Sequence, residues 1–84
     1  MTQEQELFEL VNSTVIKANA AMLTALAERS RNIFELSIRM HRVIEQFDIY
    51  MYYYKQNPAD PSLTKIATRI HKLVKKVSEM LGSE

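Results

Sequence analysis

The first 57 residues of this 84-residue chain contain neither glycine nor proline; Pro58, Pro61 and Gly82 are the only such residues anywhere. Glycine and proline are the residues that most disfavour a helix interior. Their absence over so long a stretch, in a chain with 46% apolar and 25% charged residues, points to one all-α domain spanning residues 1–84. Thr2 and Gln5 have capping-box spacing, and Glu4, Glu6 and Glu9 place negative charge where a helix dipole is positive, so a helix is expected from about residue 3. The segment Gln56-Asn57-Pro58-Ala59-Asp60-Pro61 stops it. Aspartate is a favoured N-cap and proline suits the first helical position, so Asp60-Pro61 starts a second helix that runs to about Leu81 and ends at Gly82.

Apolar residues recur at alternating steps of three and four through Leu63, Ile66, Ile70, Leu73, Val77 and Met80, and likewise through Ile33, Leu36, Met40, Val43, Phe47, Tyr50 and Tyr54. Two such lines joined by a short turn predict an antiparallel hairpin. A third line, Phe8, Val11, Val15, Ala18 and Met22, precedes them, but the step from Met22 to Ile33 is eleven residues, a stutter that passes through the polar cluster Glu28-Arg29-Ser30-Arg31-Asn32. The expectation is therefore a long helix over about 3–56 packed against a shorter one over about 61–81, with oligomerisation completing the core. A three-helix bundle broken near residues 29–32 is the alternative; it satisfies every apolar face, and Ser30 or Asn32 could cap a new helix, but no glycine or proline marks the turn.

An unbroken first helix would be about 80 Å long against about 30 Å for the second. Phe8, Val11, Val15, Met22, Leu23 and Leu26 would then stand uncovered and form a docking stripe for a partner, either a second copy of the chain or another helical protein. The run Tyr50-Met51-Tyr52-Tyr53-Tyr54 wraps the whole circumference of a helix. Tyr50 and Tyr54 belong to the hairpin core by spacing, which leaves Tyr52 and Tyr53 to cover the loop or to serve as contact residues with a large area and a polar tip.

Lys65, Arg69, Lys72 and Lys76 form a basic ridge with Lys75 beside it, although the net charge of the whole chain is only +1. Such a ridge is ordinarily a solvated face. An acidic partner is one alternative and nucleic-acid phosphate another, but no recognition-helix turn or aromatic sheet platform accompanies it. With no cysteine there is no disulfide, thiolate metal site or cysteine nucleophile. His41, Glu45 and Asp48 share a helical face but lack the Glu-x-x-His spacing of di-iron bundles, and no nucleophile triad or phosphate loop can be assembled. No enzyme activity, metal or cofactor is therefore expected.

The turn Lys55-Gln56-Asn57-Pro58-Ala59-Asp60-Pro61-Ser62-Leu63 resembles the Pro-x-x-Pro-x-Leu connection in the needle subunits of bacterial type III secretion, which are small helical hairpins. The chain is similar in build to the helical-hairpin chaperones of the same systems. That resemblance implies a structural subunit or a small chaperone. From the residues themselves the expected function is a non-enzymatic interaction module, acting as homo-oligomer, chaperone, adaptor or inhibitor, with a basic nucleic-acid-associated regulator as the alternative. The longest uninterrupted apolar stretch, Ile49 to Tyr54, is far shorter than the roughly 20 residues of a membrane span, and residues 1–6 lack the features of a secretory signal. A cytoplasmic location is expected, with specialised export left open.

Overall fold

Thr2 and Gln5 close the expected capping box: the Gln5 amide donates to Thr2 Oγ1 at 3.2 Å and the Thr2 amide donates to Gln5 Oε1 at 3.0 Å. In the computed structural model, which describes residues 2–82, this box opens α1 (Gln3–Ala27), followed by α2 (Ile33–Gln56) and α3 (Ser62–Gly82). The helices have 25, 24 and 21 residues. The long helix expected over residues 3–56 is thus corrected to two, and the architecture is the three-helix bundle rather than the hairpin of a long and a short arm. The molecule measures 41 Å along its longest axis, half of what the rod would need.

The break is made by a Schellman turn. Glu28 is the C-cap of α1, Arg29 adopts a left-handed conformation with φ of 55°, the Arg29 amide donates to the Leu26 carbonyl at 3.1 Å, and the Ser30 amide donates to the Ala25 carbonyl at 2.9 Å. Asn32 then occupies the N-cap of α2, its carbonyl accepting from the Leu36 amide at 2.8 Å. The position Arg29 fills is the one glycine usually takes, and a side chain there costs about 1–2 kcal/mol. Folding α1 back covers Val11, Val15, Ala18 and Ala25 completely or nearly so and half-covers Leu7, Phe8 and Met22. At about 1.5–3 kcal/mol per large apolar side chain buried, the gain exceeds the strain several times over. The eleven-residue stutter is therefore a turn, and Arg29 is an exposed residue of it rather than a polar intrusion on the core line.

Arg29→Gly is expected to stabilise the protein by about 1 kcal/mol, read as a higher urea midpoint at unchanged slope, because glycine adopts φ near 55° without the steric cost. A lower midpoint would mean that the guanidinium contributes more than the strain removes.

The second connection follows the chemistry read from the sequence. Asn57 Oδ1 accepts from the Ala59 amide at 3.2 Å, and Asp60 Oδ1 accepts from the Ser62 amide at 2.9 Å and so caps α3. The Ser62 amide, and after it the Ser62 hydroxyl, hold the Asp60 carboxyl below the usual aspartate range. A depressed carboxyl pKa means that this cap is at full strength above the ordinary aspartate value and weakens as pH falls through the lowered one.

α1 runs antiparallel to α2, since Phe8 near its start stacks on Tyr54 near the end of α2 at 4.4 Å between ring centroids. α3 is antiparallel to α2, with which it shares its most extensive contact, and parallel to α1. Between them lies one core, built from Val11, Val15, Ala18 and Ala25 of α1, Leu36, Met40, Val43 and Tyr50 of α2, and Leu63, Ile66, Ala67, Ile70, Val74 and Val77 of α3. Each helix supplies the apolar line that its spacing announces.

Candidate interaction surface

The docking stripe expected on the first helix sits mostly inside the protein. Val11 is fully buried and Val15 nearly so, Phe8 is stacked against Tyr50 and Tyr54, and Met22 is half-buried against the same core. Leu23 and Leu26 of that set are exposed. The expectation of exposure followed from the unbroken rod; once the chain turns at residues 28–32, α2 and α3 of the same chain cover the stripe.

The opposite side of α1 is left to solvent, and it is not a usual solvent face. Leu10, Ile16, Leu23 and Leu26 are each more than half exposed, with Ile16 at 59% and Leu23 at 52%. From Leu10 to Ala27 the helix carries a single charged residue, Lys17. Surface helices normally present charged residues on the face away from the core. Here that face presents Ser13, Ala20 and Ala27 between the large side chains instead. By length and average hydropathy α1 is apolar enough to cross a membrane. It is nevertheless interrupted by Asn12, Lys17 and Asn19, and its Val11, Val15, Ala18 and Ala25 line is occupied within the bundle. The outward line was readable in the spacing of Ile16 and Leu23, but the longer Phe8 to Met22 line on the other side masks it.

Immediately beyond the turn, Phe34 is 79% exposed in the first turn of α2, and Ile38 one turn further is also exposed. Both stand at the end of the bundle where α1 finishes. At the other end of α2 the tyrosine run divides as its spacing predicts. Tyr50 is fully buried, Tyr54 half-buried, and Tyr52 and Tyr53 are exposed, their rings meeting edge to face at 5.5 Å. The Tyr50 hydroxyl is buried and finds no hydrogen-bond partner among the described residues. Burial, with a smaller contribution from Tyr54, pushes its pKa up, so the ring stays neutral.

Lys65, Arg69, Lys72, Lys75 and Lys76 are all exposed along α3, as the ridge requires. The structure adds two arginines that the sequence reading left out. A cleft of 470 Å³ between α2 and α3 is lined by Arg42, Glu45, Gln46, Arg69, Lys72 and Leu73, and an adjoining one by Arg39, Lys72, Leu73, Lys75, Lys76 and Glu79. Leu73 is the apolar floor common to both. Arg39 is paired with Glu35 at 3.0 Å and Lys76 sits 3.9 Å from Glu79, both exposed pairs of the kind that contribute little. His41 is exposed and His71 half-buried, and among the described residues no three His, Asp or Glu side chains converge as a metal site would need.

The nine residues that resemble a type III secretion needle turn are occupied here in ending α2 and capping α3. No family model matches the chain, and no curated protein or solved structure is significantly similar to it.

Proposed function

We propose that the protein is a non-enzymatic interaction module that docks another protein chain on the outward face of α1. The observation that carries this reading is the coincidence of Ile16, Leu23 and Leu26, each more than half exposed, with an eighteen-residue stretch holding one charge. Burying a face of that composition is favourable at about 25 cal/mol per Å² of apolar surface, with almost no charge to desolvate. Chaperone, adaptor and inhibitor are the roles this architecture suits, since each needs a rigid helix presented on a small folded support.

The reading is tested by placing a photo-cross-linking amino acid at Leu23 in the native cell. A light-dependent protein adduct is expected from Leu23 and none from Ser78, an exposed position on α3. Absence of any protein adduct at Leu23 removes the reading.

A second reading, nucleic-acid association, is favoured by one observation: the two α2–α3 clefts together gather six basic side chains, Arg39, Arg42, Arg69, Lys72, Lys75 and Lys76, against Glu45 and Glu79. Phosphate contacts of this kind would be sequence-blind and salt-sensitive. If they exist, Lys72→Ala with Lys76→Ala weakens binding to all sequences alike and flattens the salt dependence; no binding at low salt removes this reading.

A further inference from the structure

Resting on the interaction-module reading, we infer that the occupant of the α1 face is a second copy of this chain, paired antiparallel about a two-fold axis. Ser13, Ile16, Ala20, Leu23 and Ala27 follow one another at steps of three and four and are all exposed, which makes them a coiled-coil seam on the side of α1 away from the core. Small residues hold one set of seam positions (Ser13, Ala20, Ala27) and large ones the other (Ile16, Leu23). A parallel pair would set small against small and large against large, leaving voids in one layer and crowding the next. An antiparallel pair sets each small residue against a large one.

The register follows from the same residues. With Ala20 opposite the partner's Leu23, and Ile16 opposite the partner's Ala27, the symmetric arrangement gives four layers that are all apolar. Sliding by one heptad in the direction of the acidic N-terminus would bring Glu9 opposite the partner's Ala27. The Ser13 hydroxyl already donates to the Leu10 carbonyl at 3.1 Å, so it brings no unmet polar group to the edge of the seam.

Electrostatics selects this face for self-pairing. A two-fold interface places each surface against itself, so any patch of one sign repels its own copy. The α3 ridge of Lys65, Arg69, Lys72 and Lys76 is such a patch, and so is the first part of α1 with Glu4, Glu6 and Glu9. The α1 seam has only Lys17 beside it. In the register above Lys17 lies opposite the partner's Leu26, nine positions from the partner's Lys17, or about 13 Å along the axis. That exceeds the screening length of about 8 Å at physiological salt. Residues 13–27 span only about 22 Å, so the interface is small and the pair dissociates on dilution.

Sedimentation equilibrium over a concentration series is expected to show a monomer–dimer equilibrium. Ile16→Glu with Leu23→Glu should raise the dissociation constant by more than about 100-fold while the helical circular dichroism is unchanged. Ala20→Arg, a single change at an exposed position, should give the same loss and covers the case in which the double variant fails to fold. Orientation is read by disulfide trapping, since the chain has no cysteine of its own. Ile16→Cys mixed with Ala27→Cys should yield the mixed disulfide on mild oxidation, and neither alone should yield a dimer. A chain that stays monomeric at all concentrations, a dimer that survives Ala20→Arg, or a homodisulfide of Ile16→Cys overturns the inference. If the Leu23 cross-link gives an adduct with a different protein and the chain is monomeric, self-pairing fails while the interaction module stands; no adduct at all removes both.

Discussion

Val11→Asp is expected to unfold the protein, whereas Ile16→Asp, five positions along the same helix, should leave the fold intact. Val11 is fully buried among residues of all three helices, and a carboxylate there would have neither water nor a cation to satisfy it, because among the described residues no charged side chain is buried and the one buried hydroxyl, that of Tyr50, is neutral. The cost of burying an unpaired charge is several kcal/mol, reduced only if the group takes up a proton. Net stability at 0.05–0.15 kcal/mol per residue comes to roughly 4–12 kcal/mol for a chain of this length, so the loss takes most or all of it. Ile16 is 59% exposed, and a surface change away from caps and core shifts stability by about 0.5 kcal/mol or less. Far-ultraviolet circular dichroism and thermal unfolding of the two variants at low concentration separate the cases. If Val11→Asp keeps its fold and loses only association, the Phe8 to Met22 line is a docking stripe and the chain does not close on itself.

Leu36→Ala is expected to lower stability by about 2–5 kcal/mol. Leu36 has no exposed surface and sits one turn into α2, just beyond the Schellman turn, where the surrounding backbone is fixed by the Asn32 carbonyl and has little freedom to collapse into the space vacated. Leu23→Ala removes the same atoms from an exposed position and serves as the control, with a shift of about 0.5 kcal/mol or less in the monomer. Urea denaturation reports both. Equal effects from the two would mean that Leu23 is as enclosed as Leu36, which contradicts the bundle described here.

Those parts of the fold whose cause is a side chain were legible in the sequence. Thr2 with Gln5, and Asp60 before Pro61, announce helix starts because their oxygens reach particular amides, and both do so in the structure. The apolar lines of α2 and α3 appear at the positions their spacing gives. What spacing left undecided was the end of α1, where the break near residues 29–32 stood only as the alternative to an unbroken helix. A left-handed residue is signalled when it is glycine, and Arg29 gives no such sign; the energy that holds it there comes from Val11 and Val15 meeting α2 and α3, a long-range gain that no local pattern displays. The candidate site inherited this error. Phe8, Val11, Val15 and Met22 are an apolar line, as read, but whether such a line is core or interface depends on which way the next helix goes. Tyr52, Tyr53 and the lysine ridge needed no such knowledge, since spacing alone puts them outside. Arg39 and Arg42 join the ridge only across the α2–α3 groove, and adjacency between two helices is not written along either one.

The joint at residues 28–32 also governs how α1 can be exchanged. If the Schellman turn straightened, α1 and α2 would form one rod, and the Val11 to Ala25 line could insert into the groove between α2 and α3 of another molecule with the same neighbours it has now. The core contacts of the bundle would be kept; the losses would include the turn hydrogen bonds of Arg29 to Leu26, Ser30 to Ala25 and Ile33 to Ser30, and the advantage of a tethered segment over a separate chain. The closed monomer and a domain-swapped pair therefore differ by terms confined to a few residues, and Arg29 sets their sign. An arginine held at a left-handed angle favours the straight form by the strain it relieves, and a glycine at that position would act as a lock on the closed one. Concentrated protein, or brief warming that opens the bundle, is where entanglement between copies would first be met.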